Sequence, residues 1–398
     1  MSKELVAKPD LQFTQDLIDA GGGDLKKCYQ CATCSVACRI APDNNPFPRK
    51  EMIWAQWGLK DRLMNDPDVW LCHQCNDCST QCPRGAYPGD VLKAVRKMVI
   101  QENSWPSFLG KLVGTPAMFV VAIAIPIVVV LAIVFANKGF TFPQPVKYGM
   151  FIDYMYIQVV FTLALLFAVV SMILSLKKYW ANLESNNPLG IAGARKGFIP
   201  SLIEALGEIL PHTTFKDCQA NNIRYAAHLM VFWGMLGLLI TTAIVAFNID
   251  ILHIAPPSQN GPGTIPIKIL GNVSAIAFVL GLAIMLVRRL TVPEQAGGSS
   301  YFDWFFLFII CGTGATGVLT ELLRYSGSPA GAYIFYTIHL MFVLSLFIYL
   351  PFSKFAHLGY RTIAITWSKA AGRNVTLPVQ PKFVPAPADV SAGEEAAS

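Results

Sequence analysis

Cys28-Tyr-Gln-Cys31-Ala-Thr-Cys34-Ser-Val-Ala-Cys38 and its counterpart Cys72-His-Gln-Cys75-Asn-Asp-Cys78-Ser-Thr-Gln-Cys82-Pro83 decide what the first quarter of the chain is. Both run Cys-x2-Cys-x2-Cys-x3-Cys, and they take all but two of the 10 cysteines. A cubane iron–sulfur core needs four thiolates. Three come from one tight loop, whose two-residue gaps carry successive sulfurs from corner to corner, and the fourth comes from elsewhere. In the two-cluster arrangement that fourth cysteine crosses to the other cluster. The spacing therefore assigns Cys28, Cys31, Cys34 and Cys82 to one [4Fe-4S] cluster and Cys72, Cys75, Cys78 and Cys38 to a second. Zinc takes two Cys-x2-Cys pairs and would leave thiolates surplus in each run. A disulfide framework fits worse, because Met1 to Phe13 lack the apolar core of a secretion signal and thiols inside a cell stay reduced. One asymmetry is that Arg39 follows Cys38 where Pro83 follows Cys82. His73 reads as a surface polar residue, since four thiolates already complete the site.

Outward from these loops the character of the chain changes. Over 398 residues it is 54% hydrophobic and 14% charged, with a mean hydropathy of +0.46, which is the composition of an integral membrane protein. The formal net charge of +6 does not point to nucleic acid, because the basic residues flank apolar spans instead of forming one patch. Residues 1–105 are polar and form the expected cluster domain. Helices are expected over Leu11 to Ala20, stopped by Gly21-Gly22-Gly23, after Pro48 with Met52, Ile53, Trp54 and Trp57, and over Asp90 to Glu102 with Val91, Val95, Met98 and Val99 on one face. Lys93, Arg96 and Lys97 then fall on a solvated face.

Residues 106–365 read as a transmembrane domain with spans at about 117–136, 153–176, 225–247, 269–289, 302–323 and 331–352. Pro126 falls within the first. Most Lys and Arg of this half lie in the connections on the cluster-domain side, so the positive-inside rule puts both termini in the cytoplasm and the protein in the inner membrane as a multi-pass chain. The 180–224 connection carries an amphipathic stripe of Phe198, Leu202, Ile203, Leu206, Ile209 and Leu210, suited to lipid at the interface. Residues 366–398, rich in Ala, Pro, Glu and Ser beyond Lys382, are expected to be a largely disordered cytoplasmic tail.

A histidine inside a span is a functional candidate by default. His228 falls near the cluster-side start of the third span, and His339 lies within the sixth. His357 follows His339 by eighteen positions, so on one continuous helix the two would share a face about 27 Å apart. By depth, His228 pairs with His357 as axial ligands of an inner haem b. His339 faces an outer haem, with His253 as its candidate partner. His212 is read as a loop residue, with replacement of a member of the inner pair as the alternative.

The run His339-Leu340, Pro351-Phe352-Ser353 and His357 resembles the last helix of the gamma subunit of respiratory nitrate reductases, di-haem b cytochromes that oxidise quinol. Leu286-Val287-Arg288-Arg289-Leu290 resembles the same family. Its early helix bears two haem histidines about ten residues apart; His228 matches the first, while the second falls on Leu238, which cannot ligate iron. A double-cluster domain followed by this cytochrome is similar to a fusion of the C and E subunits of heterodisulfide reductase, and to the membrane subunits of quinone-interacting membrane-bound oxidoreductase complexes over about residues 20–365. The resemblance implies menaquinone, flavin-containing cytoplasmic partner subunits, and exchange of electrons with adenylylsulfate reductase. It also makes Lys268 a candidate quinone residue, because a lysine stands near that position in the nitrate-reductase cytochrome. Asp153, Glu321 and Arg324, at the same external level, are further candidates for the quinone site, with an interfacial anchor as the alternative role.

The expected fold is thus mainly α: a helical, ferredoxin-like two-[4Fe-4S] domain followed by a six-helix transmembrane cytochrome b bundle. Gly312-x-Gly314-x-x-Gly317 matches a dinucleotide fingerprint only as a string, because it sits inside an apolar span with no preceding strand. Small-residue helix packing explains it better. Cys218 and Cys311 have no paired spacing and read as structural. The function implied is electron transfer through haem b and two clusters between menaquinone and a cytoplasmic partner. The alternatives are the equivalent subunit of a different quinone-linked, heterodisulfide-reductase-like complex, or a membrane anchor without redox function.

Overall fold

The computed structural model describes residues 8–42, 45–137, 139–186, 196–216, 218, 222–253, 265–292 and 297–373. The fold is helical throughout these residues. Asp10 caps α1 (Leu11–Asp19) by accepting from the Phe13 N–H, and the chain leaves it through Gly21 at φ +124. Short helices follow: α2 (Thr33–Ala37), α3 (Arg49–Gln56), α4 (Lys60–Met64), α5 (Asp68–Leu71) and α6 (Asp77–Thr80). α7 (Pro88–Asn103) closes the domain, starting at Pro88 because the fixed φ of proline suits a first helical turn.

α8 (Ser107–Gly114) leads into the apolar half. There the order is α9 (Phe119–Asn137), α10 (Tyr148–Phe151), α11 (Tyr154–Ser185), α12 (Phe198–Ile209), α13 (Asn222–Asp250), α14 (Ile265–Thr291), α15 (Tyr301–Tyr325), α16 (Pro329–Tyr349) and α17 (His357–Ala370). Six of these, α9, α11, α13, α14, α15 and α16, are long and apolar enough to cross a membrane. α13 and α14 form a tight antiparallel pair. Any Cβ on Gly234 would lie 2.6 Å from the Phe278 nitrogen, and one on Gly281 would lie 2.7 Å from the Ala227 carbonyl oxygen. The Gly312-x-Gly314-x-x-Gly317 run serves the same purpose against Phe342, Phe278 and His339.

Two differences from expectation have direct physical causes. The second span continues to Ser185, well beyond 176, because its last turns leave the apolar layer and bury Tyr179 and Leu183 against the cluster domain. The sixth helix stops at Tyr349. Pro351 can neither donate to the helix ladder nor fit beside the preceding turn. Ser353 then caps a 3-10 turn through its side chain, and a new helix starts at His357. His339 and His357 therefore lie on different helices, not on one shared face.

α12 puts Ser201 and Ala205 against α17 and leaves Ile199, Ile203 and Leu206 exposed, which is an interfacial helix's division of faces. Residues 366–370 continue α17 instead of opening the tail, and residues 374–398 lie outside the described residues.

One hydrophobic core runs without interruption from Phe13, Met52, Trp70 and Val95 of the cluster domain to Tyr179, Phe305, Tyr349 and Tyr360 of the apolar half. Trp70 stacks on Tyr360 at 5.3 Å between ring centroids. Beside this junction Glu51, Asp66 and Asp68 are buried together. Lys50 Nζ sits among them at 3.3, 3.0 and 2.5 Å, so an ammonium occupies a place where three carboxylates could otherwise hold a metal ion. Arg373, just past α17, reaches back to Asp68 at 2.9 Å. Burial works against the Asp68 charge, yet Lys50 and Arg373 hold its pKa below the ordinary value. Burial pushes Glu51 up to about 8 despite Lys50.

Removing one partner from a buried ion pair typically costs about 3–5 kcal/mol, so Arg373→Ala should lower the denaturant midpoint of the cluster domain, followed by protease protection of residues near α3 to α5. Glu51 keeps its proton in the folded chain at pH values where the unfolded chain loses it, so its contribution to stability falls as pH rises between about 5 and 8. The stability advantage of Glu51→Gln over the parent should therefore grow across that window, as measured by unfolding midpoints at each pH.

Candidate redox site at the domain junction

The two cysteine loops share one backbone path. Gln30 and Ala32 have φ of 58 and 69, and the matching Gln74 and Asn76 have 53 and 74. Non-glycine residues pay for this left-handed conformation. Alternating it with ordinary turns points successive N–H groups into a concavity that suits an anion, as in many iron–sulfur sites. The Gln30 N–H donates to Cys28 Sγ at 3.4 Å, the Gln74 N–H to Cys72 Sγ at 3.3 Å, and the Ala86 N–H to Cys82 Sγ at 3.4 Å. Behind the loops α2 and α6 pack on each other, which brings the two halves of the repeat face to face. Cys38 packs with Cys72 around Ile40 and Phe47, away from its own run. Cys28 and Cys82 both pack against the main core. The donor set and its N–H cradle fit two thiolate-bound [4Fe-4S] clusters with exchanged fourth ligands.

The second loop is held by three guanidinium groups from three elements. Arg96 of α7 donates to the Val69 and Cys72 carbonyls at 2.7 and 3.1 Å. Arg224 of α13 donates to Gln74 and His73 at 2.7 and 2.9 Å. Arg361 of α17 donates to Cys72 and Leu71 at 3.3 and 3.4 Å. Burial pushes Arg361 down to about 10, with Arg96 adding to the effect. Buried cations of this kind call for a nearby anion, and a thiolate-ligated cluster is one.

The expectation that His73 is a surface residue fails here. Its Nε2 lies 2.6 Å from Arg361 Nη2 and 3.0 Å from Thr214 Oγ1. A guanidinium only donates, so Nε2 accepts and the ring is neutral with its proton on Nδ1. Burial, and then Arg361, Arg224 and Arg96, keep its pKa well below the ordinary histidine value. Nor do Lys93 and Arg96 lie on a solvated face: Lys93 pairs with Asp90 at 3.1 Å and also donates to the Gly298 carbonyl.

Between this loop and the apolar half lies a cavity of about 310 Å³, within the size range of cofactor and ligand sites. His73, His212, His228 and His357 all line it. The His228 and His357 rings stand 6.3 Å apart between centroids, at 78°. An ion bound by both rings at the roughly 2.0–2.1 Å of imidazole sites would separate their centroids by roughly 6 Å, so the spacing suits a metal ion held between them.

The hydrogen bonds also set the proton positions. His357 Nδ1 donates to the Lys354 carbonyl at 2.8 Å, leaving Nε2 as a lone-pair donor, and burial pushes the ring's pKa down to about 4. His212 Nδ1 donates to the Leu210 carbonyl at 3.3 Å, so its Nε2 accepts from His228 Nδ1 at 3.0 Å. His228 Nε2 is thereby left free to ligate. His212, read from sequence as a loop residue, fixes the His228 ring in the way outer partners fix metal-bound imidazoles. Asp303, at the start of α15, gathers Lys354 at 2.6 Å, Arg289 at 3.4 Å and Lys93 at 3.9 Å on the cavity wall. Only the tertiary arrangement brings these groups together.

The remaining candidates are placed apart. His339 Nδ1 faces Thr316 Oγ1 at 3.1 Å; because that hydroxyl donates to the Gly312 carbonyl, His339 supplies the proton and keeps its Nε2 lone pair. His253 is exposed beyond α13. Asp153 is also exposed and caps α11 by accepting from the Met155 N–H at 2.9 Å. Glu321 receives the Asn272 amide at 3.1 Å and the Tyr325 hydroxyl at 3.2 Å. Lys268 stands one turn before Asn272 on α14, so it shares a face with that pair. Leu238, at the place of a second haem histidine, packs with Phe278 and Leu282.

Comparison with known proteins divides the chain in the same way. Residues 114–376 match the family described as citrate utilization protein B, and residues 24–86 match the 4Fe-4S dicluster domain. The C subunit of the H(2):CoB-CoM heterodisulfide,ferredoxin reductase of Methanothermobacter marburgensis is 36% identical over 88 residues, which is 22% of this chain and 47% of that protein. A protein of Archaeoglobus profundus described as similar to the C subunit of heterodisulfide reductase is 35% identical over 85 residues, 21% of this chain and 45% of its own. The chain thus spans about half the length of the curated relatives it matches. No solved structure matches.

The expected exchange of the fourth ligands would make Cys38→Ala and Cys82→Ala complementary. The first should remove the cluster held by Cys72, Cys75 and Cys78, the second that held by Cys28, Cys31 and Cys34. Electron paramagnetic resonance of the reduced variants should show loss of a different signal in each.

Proposed function

The chain belongs to the citrate utilization protein B family, and from that premise we propose that it is the membrane electron-transfer subunit of an oxidoreductase complex, joining a quinone pool to a partner beside the cluster domain. The observation that carries this reading is the His228–His357 pair, 6.3 Å apart with both Nε2 atoms free, in a cavity that also reaches Cys72 of the second cluster loop.

His228 and His357 would hold one haem b, with His212 and the Lys354 carbonyl fixing their rings. Bound there, the haem supplies one-electron transfer. Cys72, a proposed ligand of the second cluster, lines the same cavity beside neutral His73, so the path from that space to the cluster is short. Lys97 is half-buried in the cavity wall, and its pKa is lowered by burial; it would offset negative charge on a bound group. The second cluster is thus the one nearest the membrane, and the first, whose Cys31 is exposed beside exposed Tyr29 and Val36, faces the partner.

Menaquinone is the proposed lipid-soluble reactant, with Lys268, Asn272 and Glu321 as the polar group at the far end of α14 and α15. Asp153 is better explained as a helix cap. His339 remains a candidate for a second haem. His253 would be its partner only if the exposed segment past α13 folded inward. The proposed partners are flavin-containing cytoplasmic subunits that lead to adenylylsulfate reductase, and the proposed location is the inner membrane with both ends of the chain in the cytoplasm. The equivalent subunit of another quinone-linked, heterodisulfide-reductase-like complex is separated from this reading by the subunits that copurify.

Reduced-minus-oxidised spectra of the purified chain should show a b-type alpha band. Pyridine haem quantitation should show that His228→Ala and His357→Ala each lose one haem while iron–sulfur content is retained, and that a menaquinone analogue perturbs the parent band. Absence of the band in the parent, at full cluster content, overturns the cytochrome reading and leaves the non-redox anchor.

A further inference from the structure

Cys218 lies outside both cysteine runs, in the connection between α12 and α13, which belongs to the apolar half. It nevertheless packs against Ile40 and Phe47 together with Cys38 and Cys72. Its sulfur is within hydrogen-bonding reach of Cys75 Sγ. The second cluster therefore has five thiols around it where a cubane uses four. Each iron of a cubane has three sulfides and one thiolate, so a fifth sulfur has no vacant position to fill. A thiol held in apolar surroundings keeps its proton, and beside a ligand thiolate it acts as a donor.

The repeat supplies an independent reason for a donor at this place. Cys31 and Cys75 are equivalent positions, as are Thr33 and Asp77. In the first loop the Thr33 hydroxyl stands 3.3 Å from Cys31 Sγ. In the second loop the equivalent residue is Asp77, whose ionised carboxylate accepts only. Both loops give this cysteine a backbone N–H, from Thr33 or Asp77, but the side-chain donor of the first loop has no counterpart in the second loop's own sequence, and Cys218 stands where it is needed.

We infer that Cys218 is a positioning residue that donates its S–H to Cys75 Sγ, supplying from the membrane half the sulfur-directed hydrogen bond that Thr33 supplies within the first loop. Hydrogen bonds to cluster sulfurs favour the more negatively charged, reduced state and raise the reduction potential. The second cluster then takes up electrons more readily when its domain is seated on the apolar half, and loses that advantage when it is not. This rests on the two-cluster reading of the cysteine runs and does not depend on haem.

The test uses the full-length chain, purified anaerobically in detergent, with iron and acid-labile sulfide counted before a redox titration monitored by electron paramagnetic resonance. The second cluster is identified as the signal missing from Cys38→Ala. Cys218→Ala should keep both clusters and lower the potential of that signal by about three- to tenfold in its reduction equilibrium, the scale of one hydrogen bond. Cys218→Ser retains a donor and should shift less, while Thr33→Val should move the other signal instead. In the parent protein, pulsed ENDOR after exchange into D2O should find an exchangeable deuteron coupled to the second cluster, which keeps the question decidable if the alanine variant does not fold. An unchanged potential in Cys218→Ala at full cluster content, or no such deuteron in the parent, overturns the proposal in favour of space filling. Loss of one cluster's iron from both variants overturns it in favour of ligation. A parent protein with less than two cubanes' iron fails the two-cluster reading itself, and that result is separate from any shift in potential.

Discussion

The three guanidinium groups that grip the backbone of residues 69–74 are the constraint on which the rest of the structure depends. Arg96, Arg224 and Arg361 come from the cluster domain, the start of α13 and the last helix, and all direct their N–H groups at carbonyls of one loop. A loop backbone saturated in this way cannot shift register. Cys72 and the adjacent His73 are thereby held against the membrane helices. Three part-buried cations are costly alone. Carbonyl dipoles offset part of that cost, and an anionic cluster a few atoms away offsets more, so cluster binding and docking of the two halves are energetically linked.

The junction is apolar as well as charged. Trp70 on Tyr360, with Tyr179 behind, continues the hydrophobic core across what would otherwise be a domain boundary. The Asp68–Lys50–Arg373 group and the Asp303–Lys93–Arg289–Lys354 group stand on either side of it. Both join elements distant in sequence, and both place cations on carboxylates that burial alone would neutralise. Such networks add little net stability over an apolar core, but they are intolerant of misplacement. This suits a device in which the spacing of redox centres sets the rate.

Viewed from the cavity, the histidines form two connected sets. His228 and His357 present free Nε2 atoms to the enclosed space, each with its Nδ1 proton committed elsewhere. His73 and His212 stand behind them and join the cavity to the second cluster loop and to the α12–α13 connection. Cys218 comes from that same connection, so one short segment of the apolar half reaches both the histidine pair and the second cluster. A displacement of that segment would be felt at both.

Much was legible in the sequence because it depends on local spacing. Two-residue gaps between cysteines dictate thiolates around one small core, and twenty-residue apolar runs dictate spans, whatever their surroundings. The repeat also carries the expectation that Cys38 and Cys82 are exchanged between the clusters, and the packing of Cys38 with Cys72 is in keeping with it. That His228 and His357 lie near one another was within reach because depth in a membrane can be counted along a helix. His73, His212 and Cys218 could not be read in this way. Each looked ordinary beside its neighbours and took its role from residues 16 to 288 positions away. The end of α16 at Tyr349 is an intermediate case: Pro351 signals a break, but only packing decides that the next helix brings His357 back toward His228. Spacing determined which atoms can bind metal; the folded chain decided which of them face one another, because burial, proton position and charge compensation belong to neighbourhoods that no single segment contains.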